Sequence, residues 1–117
     1  MKREVILFIE DILKSIKLIE EYTGNISKDD FTNNQKIQDS VVRRLEIIGE
    51  AVKNIPDSFR EKYPGIEWKE IAGTRDRIIH AYFIVDLNIV WNIINEDLPI
   101  LKRQIEKIKK AESLKKE

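Results

Sequence analysis

A short segment, residues 73–82, holds three side chains that could do chemistry together. Arg75 lies five positions before His80, and Tyr82 follows two positions after it. Arginine is a fixed cation, histidine exchanges protons near neutral pH, and tyrosine carries a phenol. If one helix continues through the segment, we expect the three groups along one edge of that helix.

The helical period puts Arg75 in the centre of an apolar stripe formed by Trp68, Ala72, Ile78 and Ile79. Because a guanidinium does not lose its proton in a protein, Arg75 must either bind an anion there or extend out of the core along its stem. A lone arginine on a helix is most commonly a salt-bridge partner or a surface residue. Spacing alone therefore does not establish a functional site.

Asp76 adds a carboxylate to the same segment. It precedes His80 by four positions, which is within side-chain reach on a helix, so we expect an Asp76–His80 pair that orients the imidazole. A single histidine is also commonly structural, and both interpretations stay open at this point.

The composition limits the chemistry that the chain can perform. Its 117 residues, 42% hydrophobic and 36% charged, predict one folded domain covering residues 1–117. The absence of cysteine excludes a disulfide scaffold, a thiolate zinc site and a cysteine nucleophile, and it suits a cytoplasmic protein. His80 is the one histidine, so a two-histidine acid–base pair or a multi-histidine metal site cannot form within one protomer.

The charges of the chain balance. Lysine plus arginine number 21, as do aspartate plus glutamate, so nucleic-acid binding must come from a local patch and not from net charge. A membrane-spanning helix needs about 18 uninterrupted apolar residues, and no stretch of the chain is that long. No membrane partner is therefore expected. Residues 1–4 and the apolar run after them are expected to begin a mature helix and not a signal peptide.

Apolar residues at spacings of three and four predict a helical protein. The first helix is expected over residues 2–22, with Gly24 as its stop signal. Ser27 and Asp30 resemble a capping box at the start of a long second helix that ends at Pro56. The apolar stripe of that second helix consists of Ile37, Val41, Leu45, Ile48, Val52 and Ile55.

Two further helical segments are expected in the middle of the chain. The stretch from Pro56 to Pro64 has room for one short helix capped by Asp57 or Ser58. The helix that carries the Arg75 segment should begin near residue 66. Gly73 lies inside it and would allow either close packing against a neighbouring backbone or a kink.

Asp86 is the expected N-cap of the last helix. Pro99 interrupts that helix, which either kinks there or restarts with Pro99 in its first turn, and the last few residues are expected to fray. Together these elements predict an all-α, antiparallel bundle of four to five helices. The buried stripe of the last helix should consist of Leu87, Val90, Trp91, Ile94, Leu98, Leu101, Ile105 and Ile108.

The motif Arg75-x-x-x-x-His80-x-Tyr82 resembles the signature of HEPN domains, in particular that of the HepT-like toxin ribonuclease family. RLEIIGEA (residues 44–51) is similar to the second-helix signature of that family, and YPGIEWKEIAG (residues 63–73) is similar to its approach to the motif helix. Residues 82–87, 90–91 and 97–99 follow its C-terminal pattern. The likeness covers roughly residues 1–110, in order and without a large gap.

The resemblance implies a HEPN-like bundle that acts as a metal-independent endoribonuclease without a cofactor. Such proteins form homodimers whose motif helices line a shared cleft, which would supply the second histidine that one protomer lacks. Arg75 would hold the phosphate and stabilise charge in the transition state. His80 would move a proton from the attacking 2′-hydroxyl or to the leaving 5′-oxygen.

The resemblance also implies a partner protein, an MNT-type nucleotidyltransferase that acts as antitoxin by transferring AMP to Tyr82. The structural alternative for Tyr82 is a packed aromatic whose hydroxyl caps the helix end. Relatives often have asparagine where this chain has Asp76. The added carboxylate would either weaken RNA binding or tune His80, and Arg77 would offset it.

Glu46 and Glu50 lie one turn apart on the second helix. Paired carboxylates suit acid–base or metal chemistry, but a salt bridge or a dimer contact fits better, with Arg75 as a candidate partner. The basic residues near the C-terminus either extend an RNA-binding surface or form a solvated helix end; they include Lys107, Lys109 and Lys110.

Two other functions compete with a toxin ribonuclease. One is a non-catalytic dimer that serves as a binding module for a nucleotidyltransferase or a nucleotide. The other is a structural bundle without a site. Cleavage of RNA in the presence of EDTA discriminates the first function from these two.

Overall fold

The computed structural model describes residues 3–114. Helix α1 spans Arg3–Thr23, α2 spans Lys28–Thr32, α3 spans Gln35–Asn54 and α4 spans Asp57–Arg60. Helix α5 spans Trp68–Ala72 and α6 spans Thr74–Ile78. After a turn at Ala81–Phe83, α7 (Leu87–Asn92), a π-helical segment (Ile93–Asp97) and α8 (Leu98–Leu114) follow one another as one continuous helix.

The predicted all-α bundle is confirmed for this range. The prediction that the first helix includes residue 2, and that residues 115–117 fray, lies outside the described residues. The stop after the first helix is confirmed, since α1 ends directly before Gly24.

The bundle is built from its three long helices, because α1 packs against both α3 and α8. Two ion pairs show that α8 runs antiparallel to α1: Lys102 lies 3.0 Å from Glu20, and Lys109 lies 3.7 Å from Glu10. Apolar stripes with the helical period meet between these helices and exclude water from the core. The core includes Ile9, Ile12, Ile16 and Ile19 of α1, Val41, Leu45, Ile48 and Val52 of α3, and Leu101, Ile105 and Ile108 of α8.

The expected second helix is divided into two. The capping box forms as predicted, with Ser27 Oγ accepting from the backbone N–H of Asp30 at 3.1 Å, but it begins the short helix α2. The chain leaves the helix at Asn33, and Asn34 caps α3 by accepting from the backbone N–H of Ile37 at 3.0 Å. Asparagine side chains compete for backbone groups, so a consecutive pair ends one helix and starts the next.

The short helix α4 follows Pro56 and has no side-chain cap, so the prediction of Asp57 or Ser58 as its cap is wrong. Helix α4 instead contributes through Arg60, which hydrogen-bonds the end of α3. The guanidinium donates to the carbonyl oxygens of Ile55 at 3.1 Å and of Val52 at 2.6 Å, which satisfies backbone acceptors at the end of α3.

The helix expected from residue 66 through Tyr82 is also interrupted. It begins at Trp68, breaks at Gly73 and ends at Ile78. Among the described residues, a Cβ atom on Gly73 would meet only the carbonyl oxygens of its own preceding turn, at 3.5 Å and 3.7 Å. Of the two alternatives for this glycine, the structure therefore shows the kink.

The last helix begins as predicted, because Asp86 Oδ1 accepts from the backbone N–H of Ile89 at 3.1 Å. Pro99 lies in the first turn of α8, but α8 continues the preceding helix through the π-helical segment, so the predicted restart of the helix at Pro99 does not occur. Five positions of the predicted stripe are fully buried: Val90, Leu98, Leu101, Ile105 and Ile108. Leu87, Trp91 and Ile94 are half-buried and pack against the core, and Ile93, which was not predicted, is buried as well. A π turn holds more residues than an α turn, so Ile93 and Leu98 share the buried face although they are five positions apart.

None of the helices within residues 3–114 is long and apolar enough to cross a lipid bilayer.

A buried carboxylate fastens α8 to the loop that follows α4. Glu112 is almost fully buried; the hydroxyl of Tyr63 donates to it, and Nζ of Lys62 lies 3.1 Å from it. Burial, assisted by the hydrogen bond to Glu112 and by its negative charge, raises the pKa of Tyr63 to about 12.

Replacing Glu112 with glutamine should lower the pKa of Tyr63 toward its ordinary value of 10.0, since the negative charge that disfavours tyrosinate is removed. Because the folded state raises this pKa, its stabilising contribution is complete below the unfolded pKa and is lost as the pH rises from about 10 to about 12. Tyrosinate absorbance during an alkaline titration measures the pKa, and Tyr63→Phe identifies the component that belongs to Tyr63. An identical Tyr63 midpoint in the wild type and in Glu112→Gln would contradict this assignment.

Candidate active site

Arg75 lies on α6, and its guanidinium is held by a carboxylate of α3. Nε of Arg75 donates to Oε2 of Glu46 at 3.2 Å. The prediction that Arg75 lies in the centre of the apolar face is wrong, because Thr74 and Ile78 are buried and Arg75 is half exposed. Of the alternatives for Glu46, the structure shows the salt bridge. Arg75 makes no other side-chain hydrogen bond within residues 3–114. Its other N–H groups are left for an incoming anion such as a phosphate.

Close packing of α3 against α5 brings these two charges together. Gly49 lies one turn after Glu46, and a Cβ atom there would stand 3.3 Å from the carbonyl oxygen of Ile71 and 3.5 Å from that of Ala72. Any side chain at this position would press on backbone atoms. Glycine therefore lets the α5 backbone approach α3, and α6, which follows α5, then places Arg75 beside Glu46.

Arg75 and Glu46 line a cleft of about 490 Å³ next to α1 and α3. The charged residues of its lining are Asp11, Arg43, Glu46, Glu50, Lys53 and Arg75. Within residues 3–114 the one ion pair of Glu50 is a long contact, 3.9 Å to Lys53, so Glu50 does not share Arg75 with Glu46. The cleft thus mixes three cations with three anions, which agrees with the balanced charge of the whole chain.

His80 lies on a hairpin and not on the motif helix. Helix α6 ends at Ile78, and Ile79 pairs with Val85 in an isolated antiparallel bridge. The backbone N–H of His80 donates to the carbonyl of Ile84 at 2.7 Å. β-branched residues on both sides of this bridge favour extended backbone. The prediction that Arg75, His80 and Tyr82 share one helix edge is therefore wrong.

The helix ends between Asp76 and His80, so the predicted pair of these residues does not form. Nε2 of His80 instead lies 3.5 Å from Oδ2 of Asp86. The other oxygen of Asp86 caps α7, so one carboxylate contacts the imidazole and orders the next helix. Asp86 was predicted only as a cap, because its contact with His80 depends on closure of the hairpin.

The two residues that follow Arg75 contribute little to the site. Asp76 is exposed and makes no ion pair with the residues that the structure describes. Arg77 lies 3.6 Å from Asp97, beside a different cavity, so it does not offset Asp76 as expected.

Tyr82 and Phe83 form the tip of the hairpin. Their φ angles are 59° and 60°, and the backbone N–H of Ile84 donates to the carbonyl of Ala81 at 3.3 Å. This resembles a type I′ turn, whose two central positions normally hold glycine or asparagine. A side chain in this left-handed region costs about 1–2 kcal/mol per residue. Tyr82 is 94% and Phe83 78% exposed, so the packed-aromatic alternative for Tyr82 is wrong.

The two candidate catalytic groups thus reach the surface from separate anchors. The Arg75 side chain is 52% exposed beside α3, and the His80 side chain is 54% exposed beside the start of α7. The part of the chain that the structure describes contains no group of three or more histidine, cysteine, aspartate or glutamate residues that could hold a metal ion. The arrangement offers anion binding and proton transfer.

Two substitutions separate the two roles of Asp86. Asp86→Ala should lower the free energy of unfolding by about 1 kcal/mol because it removes the cap of α7. Asp86→Asn caps a helix about equally well, so it should change stability by less than about 0.5 kcal/mol while removing the charge beside His80. Urea denaturation measures both values. Equal destabilisation of the two variants would show that Asp86 does not act as a cap.

Comparison with known proteins identifies the family. The family described as "Ribonuclease HepT-like" matches residues 12–108. A Thermococcus cleftensis protein named "Probable ribonuclease HepT" is 49% identical over 110 residues, which cover 94% of this chain and 100% of that protein. A Methanocaldococcus jannaschii protein named "Gamma-glutamylcyclotransferase and putative RNase" is 51% identical over 108 residues, which cover 92% of this chain.

This chain spans only 49% of the second relative, about half its length. No solved structure matches the chain. The extent of the family match and the identity to full-length relatives agree with the Arg75–His80–Tyr82 motif, and the chain belongs to the HepT-like ribonuclease family.

Proposed function

We propose that this chain is a metal-independent endoribonuclease toxin whose active site forms between two copies. The observation that carries the proposal is that Arg75 and His80 both reach the surface, each beside a carboxylate, in a member of a ribonuclease family. A guanidinium binds phosphate oxygens, and an imidazole transfers protons near neutral pH. Phosphate binding and proton transfer are the two roles that RNA cleavage requires of these side chains.

The proposed reaction is an internal phosphoryl transfer within RNA. The 2′-oxygen attacks the adjacent phosphorus, the bond from phosphorus to the 5′-oxygen breaks, and the products carry a 2′,3′-cyclic phosphate and a 5′-hydroxyl. A base accepts the proton of the 2′-hydroxyl, and an acid donates a proton to the leaving 5′-oxygen. Because each chain has one histidine, the His80 residues of two copies would share these roles in a homodimer.

Arg75 stabilises the negative charge that develops on the phosphate oxygens in the transition state. The bond from its Nε to Glu46 fixes the plane of the guanidinium before RNA binds. The remaining N–H groups can then meet two phosphate oxygens at once, the geometry in which arginine binds phosphate most specifically. Glu46 is thus a positioning residue for Arg75.

We further propose that an MNT-type nucleotidyltransferase acts as antitoxin by modifying Tyr82. The phenol is almost fully exposed at a hairpin tip, two residues after His80, where a second enzyme can reach it. The phenolic oxygen would attack the α-phosphorus of ATP, AMP would become attached, pyrophosphate would leave, and the phenol proton would pass to a base of the transferase. The added nucleotide would stand beside His80 and block RNA.

The folded protein should cleave single-stranded RNA in the presence of EDTA and leave 2′,3′-cyclic phosphate ends. Arg75→Ala and His80→Ala should each lower the rate about 100-fold or more, since each removes a group that acts in the transition state. Denaturing gels give the rates, and mass spectrometry identifies the ends. Arg3→Ala, at the exposed start of α1, is the matched control and should retain the wild-type rate.

Wild-type protein that leaves all RNA intact while it binds the nucleotidyltransferase would contradict the ribonuclease proposal. The alternative, a non-catalytic dimer that serves as a binding module, would then account for the data. Circular dichroism of every variant excludes loss of folding as the cause of lost cleavage.

Co-expression with the nucleotidyltransferase should increase the intact mass of this protein by whole AMP units. Tyr82→Phe should abolish the increase because the accepting oxygen is removed, and its ribonuclease activity should escape control. Tyr22→Phe is the control variant: it changes a half-buried tyrosine on α1, so the protein should still gain AMP on Tyr82. If the partner still controls Tyr82→Phe fully, AMP transfer to this phenol is not the control mechanism.

A further inference from the structure

The hairpin tip carries a second exposed aromatic residue, Phe83, which has no part in the reaction proposed above. Its neighbours on both sides are exposed as well, Tyr82 to 94% and Ile84 to 63%. Neither ring of the tip packs against another aromatic ring within residues 3–114. The hairpin thus presents apolar surface that is not covered by the described part of the chain.

We propose that Phe83 stacks on an unpaired base of the RNA substrate, next to the phosphate that is cleaved. This inference rests on the proposed ribonuclease function and adds a residue that positions the substrate. Aromatic side chains bind unpaired bases through their faces, with little dependence on base identity.

The backbone of the tip supports a role outside the protein. Phe83 has a φ of 60°, in a turn position where glycine would avoid the steric strain. Its ring is mostly exposed, so packing within the chain does not offset that strain. Strained residues of this kind cluster at functional sites, where the strain is retained because the side chain is needed.

Backbone hydrogen bonds fix Phe83 relative to His80. The N–H of Phe83 donates to the carbonyl of His80 at 3.0 Å, and the N–H of His80 donates to the carbonyl of Ile84 at 2.7 Å. A base stacked on Phe83 would therefore be held at a fixed position relative to the imidazole. The phosphodiester attached to that nucleotide would come with it.

The area of the tip favours RNA over a protein as the occupant. A stable protein interface buries about 800 Å² on each partner. The three apolar side chains of the tip offer roughly 500 Å² in total, which is small for that purpose but ample for one base. Because the chain has a net charge of +0, electrostatic attraction to RNA is weak, and stacking can supply affinity that charge does not.

Phe83→Gly separates this role from a structural one, because it removes the ring and relieves the strained backbone at the same time. The melting temperature should stay unchanged or rise by up to about 6 °C, since the relieved strain at least offsets the freedom that glycine adds to the unfolded chain. The affinity for a fluorescent single-stranded 2′-deoxyoligonucleotide, which this mechanism cannot cleave, should fall about 5- to 100-fold in anisotropy titrations. Phe83→Trp restores an aromatic face and should bind at least as tightly as the wild type.

Leu114→Ala is the matched control, since it also removes an exposed apolar side chain. Leu114 is 27 residues beyond Leu87, where the continuous helix begins next to the hairpin. At a rise of about 1.5 Å per residue, the two residues are roughly 40 Å apart. The oligonucleotide affinity of Leu114→Ala should equal that of the wild type. For cleavable RNA, KM should rise in Phe83→Gly more than kcat falls.

Unchanged oligonucleotide binding in Phe83→Gly would overturn the stacking proposal, even if RNA cleavage by the wild type is established. Lost binding that accompanies dissociation into single chains, measured by light scattering, would also overturn it, because Phe83 would then be a contact between copies. Binding that depends on Phe83 in a protein that cuts no RNA would support stacking and reject the ribonuclease proposal.

Discussion

The ion pair between Glu46 and Arg75 is the interaction on which the candidate active site depends. It joins α3 to α6 at 3.2 Å, and it exists because Gly49 lets the backbone of α5 approach α3. A half-exposed pair of this kind stabilises a protein by at most about 1 kcal/mol. Its importance is therefore geometric: it restrains a long, flexible cation that would otherwise sample many orientations in water. Packing of the bundle thus orients the guanidinium in a cleft whose lining has mixed charge.

The residues of the motif lie on two different elements, Arg75 on helix α6 and His80 on the hairpin. Arg75 is positioned by helix packing, whereas the backbone of His80 is held by the hairpin and its imidazole lies beside Asp86, which also begins α7. The imidazole, the exposed tip with Phe83 and the start of the last helix are consequently parts of one small unit. A change in that unit would move the proton-transfer group without moving the cation. The two groups can therefore be perturbed independently, although they are close in sequence.

Local periodicity predicted the long helices well, because spacings of three and four reflect which side of a helix is buried. The paired carboxylates of the second helix likewise suggested a salt bridge to Arg75, and the contact of Glu46 with Arg75 confirms it. Prediction failed where the chain changes direction, as at Asn33, since short polar side chains compete with helix for backbone groups. The contact of His80 with Asp86 could not be predicted, because it depends on hydrogen bonds across a hairpin that a helical projection does not represent.

The π-helical segment Ile93–Asp97 gives the last helix one residue more than regular winding needs between its buried positions Ile93 and Leu98. Loss of a single residue there would restore ordinary α-helical winding and leave α8 in the same rotational setting. The same deletion within α8 itself would rotate everything beyond it by about 100° and turn its apolar side to water. The segment is thus the point at which this helix can tolerate a change in length while the core stays intact.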